Sequence, residues 1–126
     1  MRAVLDTSVL LATDLPPLEG ELAISAAALA ELHFGVLVTT NASVRAERLR
    51  RLSELQRRFT ALPVDASVAV SYGQLAAAVV EAGRRPRGRV MDLLIAATAH
   101  RHAARLYTRN ARDLAGLEHL VEIVAV

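Results

Sequence analysis

The chain has 126 residues, enough for one compact domain, and it contains neither cysteine nor lysine, which excludes disulfides, thiolate metal sites, cysteine nucleophiles and all lysine chemistry. Its formal net charge is +2, but residues 1–44 carry one arginine against five acids, a net of −4, whereas residues 84–112 carry eight arginines against one acid, a net of +7. The arginine-rich segment predicts an anionic partner. Neither a signal peptide nor an apolar run of membrane-spanning length is recognisable, so we expect a cytoplasmic protein without membrane contact.

The elements predicted in chain order alternate between strand and helix. Short apolar runs predict strands at residues 2–6, 22–25, 62–64, 105–108 and 121–126. Apolar periodicity with start and stop residues predicts helices at residues 7–12, 26–37, 43–59, 66–81 and 90–103, and a short helix within 109–117. This alternation favours an α/β fold, with a parallel sheet covered by helices on both faces, and we expect a single three-layer domain over residues 1–126.

Four acids fall where such a sheet would bring them together. Asp6 ends the first strand, Glu31 lies on the helix after the second, Asp92 begins the helix before the fourth, and Asp113 follows the fourth. Ligands bind at the carboxyl ends of parallel strands, so we expect the four side chains to converge on one cleft. Each acid also has a structural alternative. Asp6 could cap a helix, and Asp113 could be a turn residue or a cap. Glu31 could be a solvated helix position, and Asp92 could be favoured by the helix dipole.

Converging carboxylates repel one another, and a hard divalent cation relieves that repulsion. Mg²⁺ takes oxygen ligands and needs only a few protein carboxylates, and Mn²⁺ suits the same oxygen set. Such an ion polarises a phosphoryl oxygen and activates water, so the pattern predicts metal-assisted hydrolysis of a phosphodiester. The four histidines lack the spacing that would chelate zinc, since His100 and His102 lie on different faces of a helix.

Hydroxyl and amide residues beside the acids have supporting roles open to them. Ser8 or Thr108 could hydrogen-bond a metal-bound water, and Asn110 could orient Asp113, although capping and Asx turns are alternatives for all three. We expect Thr7 and Ser8 to cap the first helix, which leaves the acid before them free for a ligand.

Each of the four acids stands in a short motif: AVLDTSVLL holds Asp6, AELHFGV holds Glu31, DLLIAATAHRH begins with Asp92, and LYTRNARDL holds Asp113. Taken in order along nearly the whole chain, these motifs resemble those of the PIN-domain ribonucleases, and among them the VapC-type toxins of prokaryotic toxin–antitoxin pairs. The resemblance implies a five-stranded parallel sheet in the order 3-2-1-4-5. It also implies that the three aspartates are the main metal-site positions, with Glu31 beside them, and that all four acids are catalytic.

The activity implied by the resemblance is that of an Mg²⁺- or Mn²⁺-dependent endoribonuclease, usually a homodimer, that a cognate antitoxin neutralises. Candidates for contact with the RNA backbone are Arg84, Arg85, Arg87, Arg89, Arg109 and Arg112. A flexible, unliganded arginine loop is the alternative for those around residues 83–89. Aromatic residues number only four, which disfavours recognition of extended single strands by base stacking and favours a folded RNA.

Two functions of other classes stay open from the residues alone. A receiver-like signalling domain has the same strand alternation and clustered acids, but that family relies on a lysine and this chain has none. A non-catalytic RNA-binding module would not need four converging acids, which would repel RNA in the absence of a metal. The charged helix predicted at residues 43–59 is a candidate surface for a partner protein or a second copy.

Overall fold

The computed structural model describes all 126 residues, and its strands form a single sheet. The strands are β1 (Arg2–Leu5), β2 (Glu21–Ser25), β3 (Thr60–Leu62), β4 (Arg105–Thr108) and β5 (Ile123–Ala125). All neighbouring strands are parallel, and their order is β3-β2-β1-β4-β5. The predicted sheet and its strand order are therefore confirmed, and β1 lies at the centre, flanked by β2 and β4.

Helices connect the strands, and polar side chains at their N-termini cap most of them. The helices are α1 (Thr7–Leu10), α2 (Ala26–Val38), α3 (Ala42–Arg58), α4 (Ala66–Glu81) and α5 (Val90–Arg101), followed by a 3₁₀ helix at Ala111–Leu114. Ser25, Asn41 and Asp65 cap α2, α3 and α4 by accepting hydrogen bonds from backbone N–H groups of the first turn. None of these helices is long and apolar enough to cross a membrane.

Small side chains build the centre of the core. Ala3 and Val4 of β1 are both fully buried, and successive strand residues point to opposite faces, so helices cover both sides of the sheet. In α5, Ala96, Ala97 and Ala99 are fully buried, which lets this helix pack closely between the sheet and α4. The tight packing of α5 fixes the position of its first turn, where Asp92 lies.

The third and fifth strands differ from the predicted positions. The third lies at Thr60–Leu62 rather than at residues 62–64, because Pro63 has no N–H group to donate to a neighbouring strand and pairing stops before it. The fifth is shorter than residues 121–126, since the backbone N–H of Val121 donates to the carbonyl of Leu117 in the preceding turn.

Two helices end earlier than predicted. The first stops at Leu10 rather than at residue 12, and α5 stops at Arg101 rather than at residue 103. Ala103 takes a positive φ of 49°, a left-handed conformation that ends a helix and that glycine usually adopts. The helix at Ala66–Glu81 has the predicted bounds, because Asp65 begins it and Gly83 follows its end with a positive φ of 78°.

Candidate active site

Asp6 lies where the central strand β1 ends, and three donors hold its carboxylate. The backbone N–H of Thr7 donates to Oδ1 at 2.8 Å, and the hydroxyls of Ser8 and Thr108 donate to Oδ2 at 3.0 and 2.7 Å. Asp6 is only 7% exposed, and Thr108 is fully buried at the end of β4. Three hydrogen bonds to an ionised group from neighbouring elements fix its carboxylate at the carboxyl edge of the sheet.

The first helix is capped by Asp6 itself, which corrects the expectation that Thr7 and Ser8 would do so. Thr7 has a different role, because its hydroxyl donates to Oε1 of Glu31 on α2 at 2.6 Å. Thr7 therefore binds Asp6 through its backbone and Glu31 through its side chain. The same short segment positions two of the four predicted acids.

Asp92 and Asp113 lie on the other side of the cleft and accept no hydrogen bond through their side chains. Asp92 is half-buried in the first turn of α5, and burial together with the negative charges of Asp6, Glu31 and Asp113 raises its pKa. The Arg89 guanidinium opposes that rise. The same guanidinium lies 3.7 Å from Oδ1 of Asp113 and donates to the Asp113 backbone carbonyl at 2.6 Å.

The structure thus brings the four predicted acids into one region. The charges that raise the pKa of Asp92 are those of the other three acids, and Glu31 and Asp92 line the same cavity of about 300 Å³. Asp92 therefore lies close enough to the other three acids for their charges to act on it, and of the four only Glu31 and Asp92 line this cavity.

The hydroxyl and amide residues support the acids in ways that sequence reasoning missed. Ser8 and Thr108 were expected near a metal-bound water, yet both donate their hydroxyl hydrogens to Asp6. Asn110 acts through its backbone, because its N–H donates to the Thr108 hydroxyl at 2.9 Å and its carbonyl accepts from the N–H of Asp113 at 2.9 Å. No motif reveals the bond between Thr108 and Asp6, since it joins residues 102 positions apart.

Three of the six predicted RNA-contacting arginines are engaged within the chain. Arg84 donates to the carbonyls of Arg112 and Ala115, Arg89 contacts Asp113, and Arg109 donates to Oδ1 of Asp14 at 3.0 Å. The side chains of the other three make no hydrogen bond or ion pair and are exposed; they are Arg85, Arg87 and Arg112. Only these three have all their N–H groups available for an anionic ligand.

Two arginines of α3 lie closer to the acids than sequence reasoning indicated. Arg48 and Arg51 line a second cavity, of about 260 Å³, together with Thr7 and Glu31. The sequence shows only a helix with many charged residues, and nothing in its pattern singles out Arg48 and Arg51.

The chemistry of the four acids fits a hard divalent cation. All four offer carboxylate oxygens, and the pKa of Asp92 is raised first by burial and then by the charges of the other three. No three His, Asp or Glu side chains are arranged so that they could hold a metal ion by themselves. Mg²⁺ does not require such a group, because it usually keeps several waters and is bound by one or two carboxylates together with substrate phosphates.

The fold and the site define an α/β domain with an acidic cleft at the carboxyl edge of a parallel sheet. Residues 3–119 match the family model of the PIN domain, and the chain belongs to this family. It is 37% identical over 131 residues to ribonuclease VapC5 of Mycobacterium tuberculosis, an alignment that covers 98% of this chain and 94% of that protein.

Solved structures agree with this assignment. VapBC-5 of M. tuberculosis, a member of the VapBC family of toxin–antitoxin systems, matches with a TM-score of 0.83 and 34% identity over 99% of this chain and 97% of that one. FitAcB from Neisseria gonorrhoeae matches with a TM-score of 0.77 and 25% identity over 96% and 95%. The resemblance to VapC-type PIN domains that the motifs indicated is therefore confirmed.

Proposed function

We propose that the chain is a divalent-metal-dependent endoribonuclease, the toxin of a type II toxin–antitoxin pair, with one nuclease domain over residues 1–126. The observation that carries the proposal is the convergence of Asp6, Glu31, Asp92 and Asp113 at the carboxyl edge of the sheet. Relatives named as a ribonuclease and as a toxin–antitoxin complex support it. A non-catalytic RNA-binding role gives no reason for four interacting acids, and a receiver-like role would rely on a lysine that this chain lacks.

Asp6, Asp92 and Asp113 would hold Mg²⁺ or Mn²⁺, one or two of them directly and the rest through the waters of the ion. When bound, the ion would polarise the scissile phosphoryl group and make an attacking water more acidic. Asp6 supplies an oxygen whose position three donors already fix, so it needs little rearrangement to bind. Glu31 has Oε1 occupied by the Thr7 hydroxyl and Oε2 without a hydrogen bond. We propose that Oε2 accepts the proton of the attacking water, because Glu31 shares a cavity with Asp92.

A ribonuclease assay with purified protein tests this proposal. Wild type should cleave RNA in Mg²⁺ or Mn²⁺ and stop in excess chelator, whereas Asp6→Ala and Asp92→Ala should be inactive in either metal. Glu122→Ala is the matched control, because it removes an acid that is exposed and paired with Arg105 away from the cleft. Cleavage that survives both aspartate substitutions or the chelator would show that the metal-nuclease assignment is wrong.

Antitoxin control and self-association belong to the same proposal. We propose that a cognate antitoxin inhibits the chain and that the active form is a homodimer, acting on RNA in the cytoplasm. Expression of the chain alone should arrest growth, while the Asp92→Asn variant should not. Equal toxicity of the two chains would point away from catalysis as the cause.

A further inference from the structure

A second cavity adjoins the acidic cleft and has a different chemistry. It is lined by Thr7 and Glu31 and by Arg48 and Arg51 of α3. Because Glu31 also lines the cavity of Asp92, the two spaces are neighbours. A ligand that occupies the acidic cleft and extends past Glu31 would therefore meet the two arginines.

Both arginines are held in place by the main chain rather than by acids. Arg48 donates through Nη1 to the Gly35 carbonyl at 2.7 Å, and Arg51 donates through Nη2 to the carbonyls of Leu10 and Ala12 at 2.8 and 2.9 Å. Neither forms an ion pair, and the other nitrogens of each guanidinium have no partner in the chain. A guanidinium that the main chain already holds loses little conformational entropy when it binds an anion.

Main-chain anchoring alone does not distinguish these two arginines, because Arg45 of α3 also donates to a main-chain carbonyl, that of Thr39, at 2.7 Å. What distinguishes Arg48 and Arg51 is that they line the cavity beside Glu31. Arg50 is paired with both Glu47 and Glu54, so its charge is compensated within α3. Arg57, also on α3 and exposed, has no hydrogen bond or ion pair and lines neither cavity.

The remaining walls of the cavity are apolar. Leu11, Leu32, Leu52 and Leu55 line it, and Leu11 is 57% exposed although it is a large hydrophobic residue. A bare phosphate would make no use of this surface. A nucleotide would use both parts, because its phosphate is anionic and its base has an apolar face.

We propose that Arg48 and Arg51 bind the phosphate next to the scissile one in an unpaired stretch of RNA, and that the adjoining base packs against Leu11. The inference rests on the proposed function, since the acidic cleft is taken to hold the scissile phosphate. An acidic protein segment is the competing occupant. RNA is favoured because the cavity continues from the acids, where a bound divalent ion would attract a phosphodiester.

The test measures RNA binding without cleavage. In an Asp92→Asn background, the affinity for a short, mixed-sequence, single-stranded RNA is measured by fluorescence anisotropy in Mg²⁺ over a range of salt concentrations. Arg48→Gln should weaken binding about tenfold and reduce the slope of log affinity against log salt by about 0.7, because one phosphate contact is lost. Arg48→Lys should restore the slope.

Two further variants separate charge from packing. Arg57→Gln removes the same charge from the same helix and should leave affinity and salt slope near those of the parent. Leu11→Ala should weaken binding about threefold without changing the slope, because it removes apolar contact and no charge. Thermal unfolding of each variant checks that the fold is retained.

Equal effects of Arg48→Gln and Arg57→Gln would overturn the proposal. So would a polyglutamate peptide that loses affinity in Arg48→Gln while RNA binding is unchanged, because the cavity would then be a surface for an acidic protein. Either failure leaves metal-dependent cleavage by wild type unaffected. Conversely, a negative cleavage assay would not alter the measured RNA affinities, so the two proposals fail separately.

Discussion

The two sides of the acidic cleft are held in opposite ways. Asp6 and Glu31 accept hydrogen bonds from a backbone N–H and three hydroxyls, all supplied by Thr7, Ser8 and Thr108. Asp92 and Asp113 accept none through their side chains, and the nearest counter-charge is Arg89, 3.7 Å from Asp113. The protein thus fixes two of its acids by hydrogen bonds and gives the other two only the charge of Arg89.

Local sequence explains this difference. Two hydroxyl residues follow Asp6 directly, and a third ends the neighbouring strand β4. Asp92 follows Arg89, Val90 and Met91, none of which offers a hydroxyl, and α5 begins without a side-chain cap. Without hydrogen bonds on this side, burial and the charges of the other three acids raise the pKa of Asp92, and only Arg89 opposes that rise.

The largest expected effect is on the side that lacks hydrogen bonds. Asp92→Asn removes a charged ligand but keeps the shape of the side chain, and we expect metal-dependent RNA cleavage to fall by about a thousandfold or more. Single-turnover assays at saturating Mn²⁺ would measure this. A loss below about tenfold would mean that Asp92 is not part of the metal site and that the two sides do not differ as described.

On the fixed side, Thr108→Val replaces the hydroxyl that bonds Asp6 by a methyl group of similar size. It leaves one oxygen of a buried carboxylate with a single donor and leaves the Asn110 N–H without its acceptor. We expect a loss of about 1–3 kcal/mol in the free energy of unfolding and of about 10- to 100-fold in cleavage. Thr60→Val, at an exposed position on β3, should change neither in urea titrations and cleavage assays.

A smaller effect is expected from the bond between Thr7 and Glu31. Thr7→Val frees the Glu31 side chain, while the backbone N–H that holds Asp6 is retained. Cleavage should fall about tenfold, with a change in stability below about 1.5 kcal/mol, and Thr7→Ser, which keeps the hydroxyl, should recover most of the activity. If Val and Ser behave alike, the hydroxyl does not position Glu31.

The smallest effect concerns the free energy of unfolding, and its size depends on pH. Because the pKa of Asp92 is raised in the folded chain, its contribution to stability is present at low pH and is lost as pH rises through that pKa. In chelator, Asp92→Asn should therefore be slightly more stable than wild type near neutral pH, and this gain should vanish where Asp92 is protonated in both states. A gain that grows toward low pH would contradict the repulsion described.

Much of the site could be predicted because its acids stand at recognisable points of the chain. Asp6 follows an apolar strand and Asp113 follows another, and parallel strands bring their carboxyl ends to one edge. The roles of Thr108 and Ser8 could not be predicted, since the direction of a hydroxyl depends on packing between distant segments. The same limit hid Arg48 and Arg51, whose distinction from Arg50 is the absence of an acidic partner in space.

The fold was predicted most accurately where local signals were strong. The bounds of α4 follow from the Asp65 cap and Gly83. The position of β3 was wrong because apolar character alone suggested residues 62–64, whereas hydrogen bonding to β2 excludes Pro63. The apolar spacing of residues 43–59 predicts a stripe of Leu49, Leu52, Leu55 and Phe59, but of these only Leu52 is buried, and Leu49 is 52% exposed.

The central claim is that the four acids form one divalent-cation site, and anomalous diffraction from crystals soaked in Mn²⁺ tests it most directly. Wild type should show an anomalous peak within coordination distance of Asp6 and of Asp92 or Asp113, and crystals of the Asp92→Asn variant should show a much weaker peak there. A wild-type peak elsewhere, or none in the cleft at saturating Mn²⁺, would contradict the claim.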